Sequence, residues 1–274
     1  MIDLHTHTQA SDGRLSPRDL VQQAWLAGIR VLGITDHDTI GGLPAAHPAA
    51  REFGMQLVDG VEVTAIEKER DVHVLGYMMD VSDAPFVAFL AEQRQARITR
   101  IRQIGARLAD LGAPVDVEAL LSGRDGGEYA IGRPALAAAL VAAGHVRNKT
   151  DAFDRFLGSD GAAFVPRRGP SVIDAIAALH AAGGLAVLAH PAISRCDHRI
   201  AEWAEAGLDG LEVYHSEHDA DSSARYRQVA ESLNLAITGG SDYHGDDRAE
   251  RARLGSVTTP QEDFDRLQQR ARRG

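Results

Sequence analysis

Val31-Leu-Gly-Ile-Thr-Asp-His-Asp38 is a short apolar run that breaks off into ionisable side chains. Its Val, Leu and Ile suit a buried strand, and Asp36, His37 and Asp38 follow directly, where three chargeable groups would repel or desolvate one another without a cation. The same arrangement recurs along the chain. Ile2-Asp-Leu ends at His5-Thr-His7, Leu185-Ala-Val-Leu-Ala ends at His190-Pro191, and Leu235-Ala-Ile-Thr-Gly-Gly ends at Ser241-Asp242-Tyr243-His244. Parallel α/β barrels collect their reactive groups at the C-terminal ends of strands, so residues far apart in sequence meet in one pocket. The pattern predicts an α/β barrel with a metal-holding rim.

The elements around these runs follow from local signals. Ser16-Pro17 opens a helix that runs to Ala27-Gly28, a strand covers 31–35, and a helix over 42–53 is closed by Gly54. Strands at 56–63 and 72–77 deliver Glu62 and His73, and the whole first third reads as alternating, parallel βα units. From 84 to 165 helical patterns follow one another without strands: a long one over 85–111, rich in Arg and Gln, then 115–121, 134–143 and 149–157. This predicts a helical subdomain, 84–165, inserted over the site of a barrel built from 1–83 and 166–274. The rhythm resumes with helix 171–182, strand 185–190, helix 199–206, strand 210–214, helix 220–233, strand 235–240 and a last helix over 261–272.

With 274 residues, 44% of them hydrophobic, the chain is large enough for one α/β barrel. A formal charge of −10 argues against an extended nucleic-acid surface, which needs a basic face, while leaving room for a small nucleotide. The single cysteine, Cys196, cannot form an intramolecular disulfide, and the N-terminus lacks a basic, apolar leader, so a cytoplasmic location is expected. No apolar run approaches the roughly 20 residues that span a bilayer. Oligomeric state leaves no mark on the sequence.

Nine residues can hold metal: His5, His7, Asp12, His37, Glu62, His73, His190, Asp242 and His244. His5 and His7 share one face of a strand, and Asp242 and His244 repeat that spacing. Core histidines are usually isolated, whereas here several independent strands each end in ligand-capable groups. The set His5-Thr-His7, Ser11-Asp-Gly13, Thr35-Asp-His-Asp38, Gly60-Val-Glu62, His73-Val-Leu-Gly76, Ala189-His-Pro191 and Ser241-Asp-Tyr-His244 resembles the polymerase and histidinol phosphatase (PHP) family of metal-dependent phosphoesterases. Among its members the chain is most similar to stand-alone bacterial ones that act on nucleotide phosphates.

That resemblance implies a distorted (β/α)7, TIM-like barrel holding two or three divalent ions, manganese, zinc or iron. One ion would be held by His5, His7, Glu62 and Asp242, a second by Glu62, His73 and His190, and a third by Asp12, His37 and His244. Asp12 replaces a histidine found in some relatives, which makes the third site richer in oxygen and less suited to zinc. An arginine that follows Ala-His-Pro in several relatives is replaced by Ala192-Ile193. The implied reaction is hydrolysis of a phosphate monoester or diester of a small nucleotide, such as a 3′,5′-nucleoside bisphosphate or the 5′ end of a short oligoribonucleotide, by a metal-bridging hydroxide.

His190 and His244 are then candidate proton donors to the leaving group, and Asp36 and Asp38 candidate catalytic carboxylates that orient the ligands. Arg133, in Gly132-Arg-Pro134, and Arg167 and Arg168, in Val165-Pro-Arg-Arg-Gly169, are candidates to grip the phosphate; His215 and His218 are candidates to contact substrate. Within the family the alternative is a histidinol-phosphate-type phosphatase. Other classes are an amidohydrolase, which wants a bridging lysine that neither Lys68 nor Lys149 is placed to supply, and a non-catalytic polymerase-associated module.

Overall fold

The computed structural model describes residues 1–68, 70–122, 132–245 and 252–272; part of the helical region, 123–131, lies outside them. Seven strands form one sheet in chain order: β1 (Ile2–Asp3), β2 (Val31–Ile34), β3 (Gln56–Glu67), β4 (Arg70–Tyr77), β5 (Leu185–Leu188), β6 (Gly210–His215) and β7 (Ala236–Gly240). The sheet nearly closes on itself. Past β1, Leu4 N–H donates to Gly239 at 3.3 Å, Asp242 N–H donates to the carbonyl of His5 at 2.9 Å, and Thr6 pairs with Tyr243 in a parallel bridge. A Cβ on Gly240 would stand 2.4 Å from the backbone nitrogen of His5, so only glycine lets the last strand come this close to the first metal-binding motif.

Helices α1 (Pro17–Leu26) and α2 (Leu43–Glu52) cover β2. Ser16 caps α1 by accepting from Asp19 N–H at 3.1 Å, with Pro17 at the first helical position. The region between β4 and β5 is helical: α3 (Ala84–Asp110), α4 (Val117–Ser122), α5 (Arg133–Ala142) and α6 (Lys149–Ala152), which runs into a π-helical turn over Phe153–Leu157. Ile101, Ile104, Leu108, Leu136, Leu140 and Leu157 give this region an apolar core of its own. Then come α7 (Val172–Ala181), α8 (Pro191–Ser194), α9 (Ile200–Glu205), α10 (Ala220–Ser232) and α11 (Gln261–Ala271).

One feature departs from the uniformly parallel pattern expected of the first third. β4 runs antiparallel to both β3 and β5, with Glu67 paired to Arg70 and Tyr77 to Leu185. A parallel crossover needs roughly a dozen residues or more, and the few between β3 and β4 permit only a hairpin. Period-two alternation then sorts the side chains. Val61, Val63, Ala65, Val72 and Val74 pack outward against Ile176 and Leu179 of α7. On the other face, Leu4, Val58, Leu75, Tyr77 and Val187 fill the lower barrel, and Phe264 and Leu267 of α11 close its floor. Glu62 and His73 are left at the mouth.

Candidate metal centre at the barrel mouth

The loops that carry the site are held by their own hydrogen bonds. Asp36 accepts from Thr8 N–H at 2.7 Å, from the Thr8 hydroxyl at 2.6 Å and from the Ser11 hydroxyl at 2.6 Å, which shapes the loop leading to Asp12. Asp38, His190 and Asp242 take left-handed φ values of 52°, 25° and 54°. Non-glycine residues adopt such angles at a cost of order 1–3 kcal/mol each, repaid here by fixed partners. Asp38 N–H donates to Glu62 O at 2.9 Å, His190 N–H to Glu212 Oε2 at 2.8 Å and Asp242 N–H to His5 O at 2.9 Å.

Glu62 is the hub. Its Oε1 lies 2.7 Å from His73 Nδ1 and 3.0 Å from His190 Nε2, and its Oε2 lies 3.0 Å from His37 Nδ1, 3.3 Å from His7 Nε2 and 3.4 Å from His5 Nε2. Three imidazole nitrogens crowd one oxygen that has two lone pairs, so hydrogen bonding cannot serve them all. Accordingly His5 Nε2, His7 Nε2, His37 Nδ1, His73 Nδ1, Glu62 Oε2 and Asp12 Oδ1 are buried without a hydrogen-bond partner. Among the described residues the donor atoms form overlapping groups within 4.8 Å: His5-His7-Asp242, His5-Glu62-His190, His37-Glu62-His73 and His7-Asp12-His37-His244. Imidazole and carboxylate donors converging in buried groups of three and four are what divalent transition ions require, and the orphaned nitrogens fit that requirement.

Charge alone leaves the cluster strongly polarised. Burial disfavours the anion of Glu62, yet His37, His73 and His5 outweigh it and hold the carboxyl well below its ordinary range. Asp242 and Asp12 are likewise lowered by facing histidines against their own desolvation. His37, by contrast, is pushed down to about 3, chiefly by burial.

Beside His73 stands a group of arginines. Arg94, Arg97 and Arg100 line one buried face of α3 at i, i+3 spacing. Arg97 Nη2 donates to Asp38 Oδ2 and, at 3.1 Å, to Thr64 Oγ1; Arg167 Nη2 donates to the same Asp38 oxygen at 3.0 Å. Arg133 and Arg167 approach Asp71 Oδ2 at 3.5 and 3.9 Å. Arg97 and Arg167 outweigh burial and lower Asp38 to about 2.

The structure therefore sorts the residues singled out in the sequence. All nine metal candidates converge, and Arg133 and Arg167 meet at Asp71, whereas Arg168 is exposed. Asp36 and Asp38 belong to none of the donor groups: one organises a loop and the other anchors arginines. His215 is buried with Nε2 3.5 Å from Asp242 Oδ2, and His218 is half-buried with Nδ1 2.9 Å from Val213 O. Two residues were missed. Glu212, fully buried, joins a donor group with His5 and His215 and could have been noticed as a lone carboxylate inside the apolar strand Gly210-Leu-Glu-Val. Arg97 reads in sequence as one more polar position on a long helix.

The PHP domain matches residues 3–255. The chain belongs to the PHP-domain family. It is 35% identical over 247 residues to a 5′-3′ exoribonuclease of Haemophilus influenzae, covering 88% of this chain and 89% of that one. It is 32% identical to a 3′,5′-nucleoside bisphosphate phosphatase of Chromobacterium violaceum, covering 89% and 87% of the two chains. To a phosphoribosyl 1,2-cyclic phosphate 1,2-diphosphodiesterase of Eggerthella lenta it is 36% identical, covering 89% and 94%. A solved structure from Bifidobacterium adolescentis, assigned to the metal-dependent phosphoesterases, superimposes with a TM-score of 0.88 at 34% identity, over 98% of this chain and 95% of that one. As a PHP-domain protein the chain is a metal-dependent phosphoesterase, and the expected distorted α/β barrel of seven strands is found as a nearly closed sheet. No described helix is long and apolar enough to cross a membrane.

Proposed function

We propose that this PHP-domain enzyme hydrolyses a phosphate ester of a small nucleotide, either a 3′,5′-nucleoside bisphosphate or the 5′ end of a short oligoribonucleotide. The supporting observation is Glu62, a buried carboxylate faced by five imidazole nitrogens within 3.4 Å, with a cluster of arginines beside it. Three curated relatives are named as a 5′-3′ exoribonuclease, a 3′,5′-nucleoside bisphosphate phosphatase and a phosphoribosyl cyclic phosphate diphosphodiesterase, which supports a small nucleotide or phosphoribosyl substrate.

Two or three manganese, zinc or iron ions would be held by His5, His7, Glu62 and Asp242; by Glu62, His73 and His190; and by Asp12, His37 and His244. When bound, such ions lower the pKa of water and neutralise charge on the reacting oxygens. The chain's own groups do the rest. Arg133, Arg167 and Arg97 hold phosphate oxygens through planar guanidinium forks, while Asp38 and Asp71 keep those forks aimed. Water adds to phosphorus and gives up a proton as the ester oxygen leaves, and whichever of His190 and His244, 7% and 5% exposed in their side chains, is not holding an ion passes a proton to that oxygen. Helices of the 84–165 region form a cap that selects the substrate over a barrel of 1–83 and 166–274, and the enzyme works in the cytoplasm.

The test is metal analysis of protein purified without added metal, then phosphate release from adenosine 3′,5′-bisphosphate, AMP, a 5′-phosphorylated dinucleotide and histidinol phosphate. Turnover of the bisphosphate or the dinucleotide with manganese is expected. Turnover of histidinol phosphate alone would overturn the nucleotide assignment.

A further inference from the structure

Strand β6 carries two buried polar residues, Glu212 and His215, three positions apart. On a regular strand that odd spacing would send them to opposite faces. The pairing of β6 with β7 slips between Glu212 and Tyr214: Glu212 is opposite Thr238, Tyr214 is opposite Gly239, and Val213 is the extra residue. Bulges re-aim side chains beside active sites, and this one turns both Glu212 and His215 toward the metal centre.

Each meets a different proposed ligand. Glu212 Oε2 is occupied by the His190 N–H at 2.8 Å, and Oε1 lies 3.0 Å from His5 Nδ1. A carboxylate only accepts, so His5 carries a proton on Nδ1, and Nε2, 3.4 Å from both Glu62 and Asp242, is the nitrogen left to take an ion. His215 accepts Glu217 N–H at Nδ1, 3.1 Å away, so its own proton lies on Nε2, 3.5 Å from Asp242 Oδ2. That leaves the other oxygen, Asp242 Oδ1, facing His7 Nε2 at 3.1 Å.

Given the metal-binding function proposed above, we propose that Glu212 and His215 are positioning residues, aimed by the β6 bulge, that fix the His5 tautomer and the orientation of the Asp242 carboxylate before any ion arrives. Ligand-orienting partners of this kind typically change metal affinity about 10–100-fold when lost.

Two measurements on folded, metal-free protein separate this from the metal assignment. Long-range 15N–1H spectra of the imidazoles, recorded at a pH where the His5 ring is neutral, are expected to show its proton on Nδ1 in the wild type and on Nε2 in E212Q, where an amide NH2 replaces the accepting oxygen. A neutral wild-type His5 ring with its proton on Nε2 would overturn the proposal whether or not metal binds. Zinc titration calorimetry is expected to show E212Q and H215L weakened about 10–100-fold, and H215Q, whose amide can still donate to Asp242, restored to within about threefold of wild type. Equal weakening in H215L and H215Q, or wild-type affinity in E212Q, would also overturn it. If E212Q does not fold, the H215L and H215Q pair decides by itself. A wild type that takes up no zinc, manganese or iron while keeping the Nδ1 proton on His5 would refute the metal assignment and leave the tautomer claim standing.

Discussion

Asp38→Asn removes one charge at the meeting point of two buried guanidiniums. The carboxylate is fully buried, and the Arg97 and Arg167 side chains are only 9% and 10% exposed, so solvent screens them little. Asparagine is nearly isosteric and tolerates the φ of 52° at this position, so the substitution isolates charge from backbone strain. Its oxygen can still accept from Thr64 N–H, now at 2.8 Å, but its NH2 would point at two other donors. A fall of the carboxyl from 3.8 to about 2 corresponds, at about 1.36 kcal/mol per pH unit, to a stabilisation of roughly 2–3 kcal/mol. Stripping one partner from a buried ion pair costs about 3–5 kcal/mol in comparable cases. Urea denaturation at pH 7 should therefore show D38N about 3 kcal/mol less stable. The sign with pH follows from the lowered carboxyl: its contribution is complete above about pH 4 and is lost as pH falls through about 2, so the D38N curve should be flatter than wild type across that window. A loss below about 0.5 kcal/mol at pH 7 would mean that Arg97 and Arg167 do not depend on Asp38.

Glu62→Gln should cut bound metal, read by elemental analysis, and lower turnover by about 100-fold or more, since it weakens ligands shared between donor groups. Arg133→Ala should raise KM for a phosphorylated substrate about 10–100-fold with a smaller change in kcat, as expected for the loss of a charge-assisted contact made in the ground state; exposed Arg168→Ala should leave both unchanged. Exhaustive chelation should lower the thermal midpoint, by about 5–10 °C if the ions are normally present at roughly 100 times their dissociation constant; an unchanged midpoint would count against structural coupling to metal.

Much of the site was legible because its ligands sit where apolar runs stop. His5, His7, His37, His190, Asp242 and His244 each follow a strand directly, so a one-dimensional pattern carries three-dimensional information. The β3–β4 hairpin was legible too, since the gap between the two apolar runs is too short for a crossover helix, but an alternating rhythm obscured it. Glu212 was hidden for a different reason. An inward carboxylate and an outward valine look alike in a strand until the neighbouring strand supplies His5. The arginines of α3 look like an ordinary polar helix face, and only the approach of Asp38, more than fifty residues earlier, marks that face as buried.

The reversal of β4 has a mechanical consequence. Because that strand ends at Tyr77 on the floor of the barrel, α3 begins near the floor and climbs the outside. Its 27 residues extend ~40 Å at 1.5 Å per residue. Phe86 and Leu90 near its start pack into the barrel's outer layer, Arg94, Arg97 and Arg100 pass the mouth, and Ile101, Ile104 and Leu108 enter the core of the helical region. One unbroken helix is thus foundation, arginine carrier and post. For the cap proposed above, that continuity means the upper helices are joined to the barrel on this side by helix and not by a loop.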